Sequence, residues 1–200
     1  MTKIIRNLIC LGAFVLGSSP AFAFVSPVSV GILPPLEFPP SDFNVAGVRL
    51  SVIYGDHRNI YGLDLGVLGN ITQQEFRGVA IAGLFNFTHG DTTAVITQAA
   101  GVWNWNTNKT NVVGVQFASL LNLNEAASTI EGLELAMINI APYTDVYGLQ
   151  VGVYNRALDV HGFQIGVVNV SDSLHGVQIG LVNFNRKGTI YVSPILNAGF

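Results

Sequence analysis

Val146-Tyr-Gly-Leu-Gln-Val-Gly-Val-Tyr-Asn155, Val160-His-Gly-Phe-Gln-Ile-Gly-Val-Val-Asn169 and Leu174-His-Gly-Val-Gln-Ile-Gly-Leu-Val-Asn183 align without a gap at a spacing of 14 residues. A fixed internal period marks a repeat architecture. Looser copies precede these three: 132–139 (GLELAMIN), 114–122 (GVQFASLLN), 78–86 (GVAIAGLFN) and 62–70 (GLDLGVLGN). Residues 99–104 keep only the tail of the motif and residues 47–54 only its head. The copies at Gly62, Gly78 and Gly114 hold one extra residue before the Asn, which predicts β-bulges.

Each copy alternates with period two and therefore reads as a strand. One face is apolar, as in Leu149, Val151 and Val153 or Phe163, Ile165 and Val167. The other is small or polar and carries the glycines together with Gln116, Gln150, Gln164 and Gln178. The strand-centre charges Arg49, Asp64 and Glu134 fall on this second face. These seven residues are the candidates for lining a lumen or forming a ladder. The spacing predicts about ten strands between residue 46 and residue 200, in a single repeat-built β domain. A possible first strand and a Pro-rich lead-in occupy 24–45.

Residues 1–23 read as a cleaved secretory signal. Lys3 and Arg6 are its basic region, residues 8–16 its apolar run and Ala21-Phe22-Ala23 its cleavage signature. The only cysteine, Cys10, leaves with it, so the mature chain offers no disulfide or thiol chemistry. Charged residues make up 10% of the chain, against about 25–35% on a usual soluble surface. The mean hydropathy is +0.46. Without Lys3 and Arg6, seven basic residues face twelve acidic ones. That balance argues against nucleic acid as a partner.

Two architectures use this pattern. In an antiparallel up-and-down membrane β-barrel of about ten strands, the Leu/Ile/Val face meets lipid and the Gly/Gln face lines the lumen. In a parallel β-solenoid of short repeats, the apolar face is the core and the Gln face meets water. Strand length, an even strand count and a terminal aromatic, Phe200, favour the barrel. So does the gathering of Tyr61, Phe76, Phe87, Trp103, Trp105, Tyr143, Tyr147 and Phe184 at strand ends, as in interfacial girdles. A 14-residue coil is short for two strands and their corners, and only one strand-like run is visible per copy. The barrel is the leading expectation and the solenoid the alternative.

Chemistry is sparse. His161 and His175 share one motif position and would stack about 4.8 Å apart in a solenoid. Glu134, Asp64 and Arg49 read as a buried polar network better than as a carboxylate pair for catalysis. No G-x-S-x-G elbow is present. No cofactor, metal site or enzymatic activity is expected. The Asn70, Asn86 and Asn169 sequons coincide with the repeat Asn and read as by-products of the motif.

The GLQVGVYN, GFQIGVVN and GVQIGLVN copies resemble a surface-repeat family of exported proteins from bacteria with outer membranes. The lead-in at 27–35, the segment 45–55 and the terminal Ser193-Pro-Ile-Leu-Asn197 with Phe200 resemble the same order of parts. The resemblance implies an outer-membrane or cell-surface location, with no known activity and no functional residues to carry over. The expected function is an envelope protein with a structural or narrow-pore role. Its partners would be outer-membrane lipid and, through Phe200, the barrel-assembly machinery. The alternative is a secreted β-solenoid serving as a surface binding or adhesion module.

Overall fold

The computed structural model describes residues 24–200, so the signal-peptide reading lies outside the described residues. Fifteen strands form one continuous sheet. They are β1 (Val25–Leu33), β2 (Leu36–Phe38), β3 (Asn44–Ser51), β4 (Tyr54–Gly66), β5 (Gly69–Ala82), β6 (Phe85–Thr88), β7 (Asp91–Ala100) and β8 (Trp103–Asn106). Then follow β9 (Thr110–Ala118), β10 (Leu121–Asn124), β11 (Ser128–Leu135), β12 (Ile138–Val151), β13 (Tyr154–Ile165), β14 (Val168–Asn185) and β15 (Val192–Gly199).

Successive copies pair in parallel: Gln150 stands opposite Gln164, and Gln164 opposite Gln178. The same direction holds from β1 through β3, β4, β5, β7, β9, β11, β12 and β13 to β14. A second parallel ladder runs from β4 and β5 through β6, β8 and β10 into β12, β13 and β14. This overturns the antiparallel barrel. The chain is a parallel β-solenoid in which every coil contributes one strand to each ladder. The physical reason lies in Tyr154-Asn-Arg-Ala157 and Val168-Asn-Val-Ser171. Each is a second strand, too short to show an alternation of its own, and with it fourteen residues hold two strands and two corners.

The inside and outside are also the reverse of the expected solenoid. Gln150, Gln164 and Gln178 are fully buried, whereas Phe163, Ile165 and Val167 are exposed on the outer wall. One interior column is apolar: Val112, Ile130, Val146, Val160 and Leu174 stack in register, and Val45, Ile60 and Phe76 continue the cluster. The rest of the interior is amide, hydroxyl and alanine, apart from Arg49, His57, Asp64, Glu134 and Val170.

The two motif glycines have different jobs. Gly148, Gly162 and Gly176 have φ of 135°, 140° and 153°. This backbone, which L side chains avoid, bends the strand so that Val146 and Gln150 both face inward. A Cβ on Gly162 would also collide with the carbonyl oxygen of Gly148. Gly152, Gly166 and Gly180 instead leave space for the amides of the neighbouring asparagines. In the long copy at Gly62, the extra residue widens the corner at Val67 and Leu68 and makes no bulge. A bulge does occur in β7, where the register slips between Ala94 and Gln98. There Ile96 takes the glycine position opposite Gly114, with φ 82°.

Both ends are closed by antiparallel strands. The Pro-rich lead-in folds back as β2 along the free edge of β1. β15 does the same on β14. The strand-end aromatics form no girdle; Phe85 stacks on Trp103 and Phe87 packs on Trp105 between successive coils, at 5.6 and 5.1 Å.

Ile96 is a β-branched residue in a region that costs of order 1–3 kcal/mol. Ile96→Gly is therefore expected to raise the urea midpoint. Gly162→Ala, at the same motif position, is expected to lower it. Equilibrium unfolding of the two variants checks both signs, and a loss of stability in Ile96→Gly refutes the reading.

Candidate functional site

The second strand of each coil places its Asn inside, at the corner. Asn70, Asn86, Asn104, Asn122, Asn139, Asn155, Asn169 and Asn183 form one unbroken column. Each Nδ2 donates to the Oδ1 of the next Asn at 2.8–3.0 Å. The second N–H of each amide donates to a backbone carbonyl at the corner, as from Asn155 to Ile165 and from Asn169 to Ile179, both at 3.0 Å. A primary amide has two donors, and both are used. Because carbonyls accept, this second bond also fixes which end of the amide is nitrogen.

All seven sequence candidates fall in a second column. Arg49, Asp64, Ala80, Gln98, Gln116, Glu134, Gln150, Gln164 and Gln178 are opposite one another in turn. In the Gln ladder each Nε2 donates back toward the N-terminal coil: Gln178 to Gln164 at 2.7 Å, Gln164 to Gln150 at 2.6 Å, and Gln150 to Glu134 at 2.7 Å. The Gln and Asn ladders therefore run in opposite directions, and their side-chain dipoles oppose. Sequence reasoning found the Gln column because Gln recurs among apolar residues. It missed the Asn column, whose signal was the Asn that closes every copy. Asn70, Asn86 and Asn169 are at most 2% exposed, so their sequons are occupied by the ladder.

Arg49, Asp64, Ala80 and Glu134 interrupt the Gln pattern. Arg49 and Asp64 form a bidentate pair, with Nε–Oδ1 and Nη2–Oδ2 both at 2.7 Å, and Arg49 Nη1 donates to the Ile71 carbonyl. Opposite charges in neighbouring rungs replace the amide contact. Glu134 has no cation beside it. Burial pushes its carboxyl up to about 8, against a lesser opposing pull from the Gln150 hydrogen bond. At neutral pH it is a protonated acid in an amide column.

The N-terminal end holds a polar plug that sequence reasoning missed. Ser29 Oγ lies 3.2 Å from His57 Nε2, and His57 Nδ1 lies 3.7 Å from Glu37 Oε2. That is the order of an acyl-transfer triad. Ser29 is 1% exposed, however, and His57 Nε2 also meets the Pro39 carbonyl at 3.2 Å. The hydroxyl has no open side for a substrate, so the trio ties β1 and β2 to the coil beneath. Burial, aided by the Arg49 charge, holds His57 down at about 4.

On the outer wall Tyr147, His161 and His175 stack with centroids 4.6 Å apart and planes within 7°. Parallel rings hold their nitrogens side by side and do not converge on one ion. Asp145 and Asp159 stand in register next to them. The Asp145 carboxyl is raised by burial and by the Asp159 charge, with His161 opposing. Among the described residues no group of three His, Cys, Asp or Glu could hold a metal ion.

The largest feature is the outer wall beyond the bend at the positive-φ glycines. One outward column is apolar throughout, running from Val30 through Leu50, Ile81, Phe117, Val151 and Ile179 to Leu196. Its neighbour runs from Val28 through Val48, Leu133, Leu149 and Phe163 to Ala198, broken only by Thr97. The adjoining corner adds Met137, Val153, Val167 and Leu181, of which Leu181 is 68% exposed. No charged residue falls in this flank. No family model, curated protein or solved structure matches the chain.

The pH dependence of stability follows from the two buried groups. Glu134 favours the fold below its ordinary pKa near 4.5, and that contribution is lost as pH rises through about 8. His57 contributes above its ordinary 6.5 and loses its contribution as pH falls through about 4. Glu134→Gln restores the amide and removes the Glu134 loss. Below pH 6.5 the gain from His57 offsets the fall from Glu134, so thermal melts of the parent chain are expected to fall between pH 6.5 and pH 8 and those of the variant to stay flat there; parallel curves over that window refute the assignment.

Proposed function

We propose that this chain is an exported β-solenoid that serves as a surface binding or adhesion module, with the uncharged flank as its contact face. One observation carries the reading. The flank is continuous over the stacked coils, whereas the largest apolar patch on a typical monomer is about 300–600 Å² and often functional. The interior supports the same division of labour. The amide ladders, the Arg49–Asp64 pair and the Ser29–His57–Glu37 plug all face one another and hold the rod rigid. The polar chemistry is spent on shape, and the outer wall is left for recognition. The leader-like residues 1–23 and the resemblance of the repeats to exported surface proteins support the address.

An epitope is placed in the turn at Lys187 and Gly188, outside the strands of the flank. Intact bacteria expressing the tagged chain are expected to bind antibody without permeabilisation and to adhere to hexadecane droplets or to one another. Cells displaying Val167→Glu with Leu181→Glu are expected to show the epitope equally and to lose the adhesion. An epitope reached only after permeabilisation, or adhesion unchanged by the two glutamates, overturns the proposal.

A further inference from the structure

We infer that the occupant of the apolar flank is a second copy of this chain, packed flank to flank about a two-fold axis. The inference rests on the surface-module reading above and names its partner.

Area is the first argument. Ten coils at about 4.8 Å per rung give a length near 45 Å, and five to six residues across at about 3.3 Å give a width of 15–20 Å. The footprint is on the order of 800 Å², the usual contribution of one partner to a stable protein interface. A single interface of this kind covers the flank without excess.

Relief is the second. Gly152, Gly166 and Gly180 floor a groove of about 430 Å³ along the solenoid axis, walled by the Ile165 and Val167 columns and closed by Ile195. Ridge, groove and ridge are spaced by the two-residue repeat of the strand. A second copy carries the same spacing, so its ridges fit the grooves of the first. Two sheets packed face to face in this way stand about 10 Å apart with interdigitated side chains. A two-fold contact is self-complementary and closed, so association stops at the dimer.

Charge is the third. An element that lies on a bilayer carries Lys and Arg beside its apolar face, to meet anionic headgroups. Here the flank carries none, and the chain without Lys3 and Arg6 has a net charge of −5. Two uncharged flanks meet without desolvating an ion, while the charged corners of both copies stay in water.

Sedimentation velocity on the full chain, at about 10 µM where an interface of this size is populated, is expected to give twice the chain mass. Val167→Glu with Leu181→Glu should weaken the dimer on the order of 100-fold or more, since each glutamate would be buried unpaired, with unchanged far-ultraviolet circular dichroism. Should the double variant fail to fold, cross-linking decides. With Cys10→Ser as background, Met137→Cys on the flank should form a covalent dimer and Glu125→Cys, exposed after β10 in the second ladder, should not. Cross-linking at Glu125→Cys alone, or a dimer indifferent to the two glutamates, overturns the inference. A monomeric parent chain also overturns it. If that monomer adsorbs to hexadecane or floats with phosphatidylcholine vesicles, the surface-module reading stands and only the partner is wrong. If it does neither, both fall.

Discussion

The structure depends on a side-chain hydrogen bond repeated at a spacing the backbone imposes. Parallel rungs are about 4.8 Å apart, and a primary amide can bridge that gap, donor to acceptor, when identical residues are stacked. A buried amide without partners costs about 1–3 kcal/mol for each unmet group, so the Asn column is stable only as a column. One Asn displaced by a register slip would leave two neighbours unsatisfied as well. The ladder thereby fixes the register of the coils, which their apolar residues alone would leave free to slide.

From this constraint the reversal of inside and outside follows. The interior of a 14-residue coil is narrow. Filling it with Leu and Ile from both strands would force the strands apart, whereas Asn and Gln amides lie along the axis and satisfy one another. The larger apolar side chains therefore go outward. The single apolar interior column, from Val45 through Ile130 to Leu174, sits where the positive-φ glycine bends the strand and makes room. Even the departures obey the rule. Arg49 and Asp64 keep donor facing acceptor across one rung, and Glu134 remains in its column by holding a proton.

Much of this was legible in the sequence, and what was not has a physical cause. The repeat, the two-faced strand and the column of Arg49, Asp64, Gln116, Glu134, Gln150, Gln164 and Gln178 could be read from period-two alternation. Pairing direction could not, because alternation is the same in parallel and antiparallel strands. The second strand escaped notice because Tyr154-Asn-Arg-Ala157 is four residues long and its inward positions, Asn155 and Ala157, are not conspicuously apolar. The sidedness held for the barrel, whose Gly/Gln face looks inward, and failed for the solenoid alternative, for a different reason. Burial was assigned by hydrophobicity, and a stacked amide meets its hydrogen-bonding needs inside better than a single polar residue does. The Ser29–His57–Glu37 plug was invisible because its members are joined by coiling and share no motif spacing.

The ends of the rod bear on how it can associate. Each ladder finishes with an acceptor that no donor reaches: Asn70 Oδ1 at one end and Gln178 Oε1 at the other. Opposed ladder directions put these orphans at opposite ends, so neither end gathers the dipoles of both columns. Stacking of one molecule on another along the axis would continue the ladders, and the chain blocks it. β2 covers part of the β1 edge, and Pro194, which has no N–H to offer, sits in β15. A parallel solenoid with open ends would add subunits without limit. With both ends closed by antiparallel strands, growth along the axis is blocked, and the flank is the broad apolar surface left for another molecule to meet.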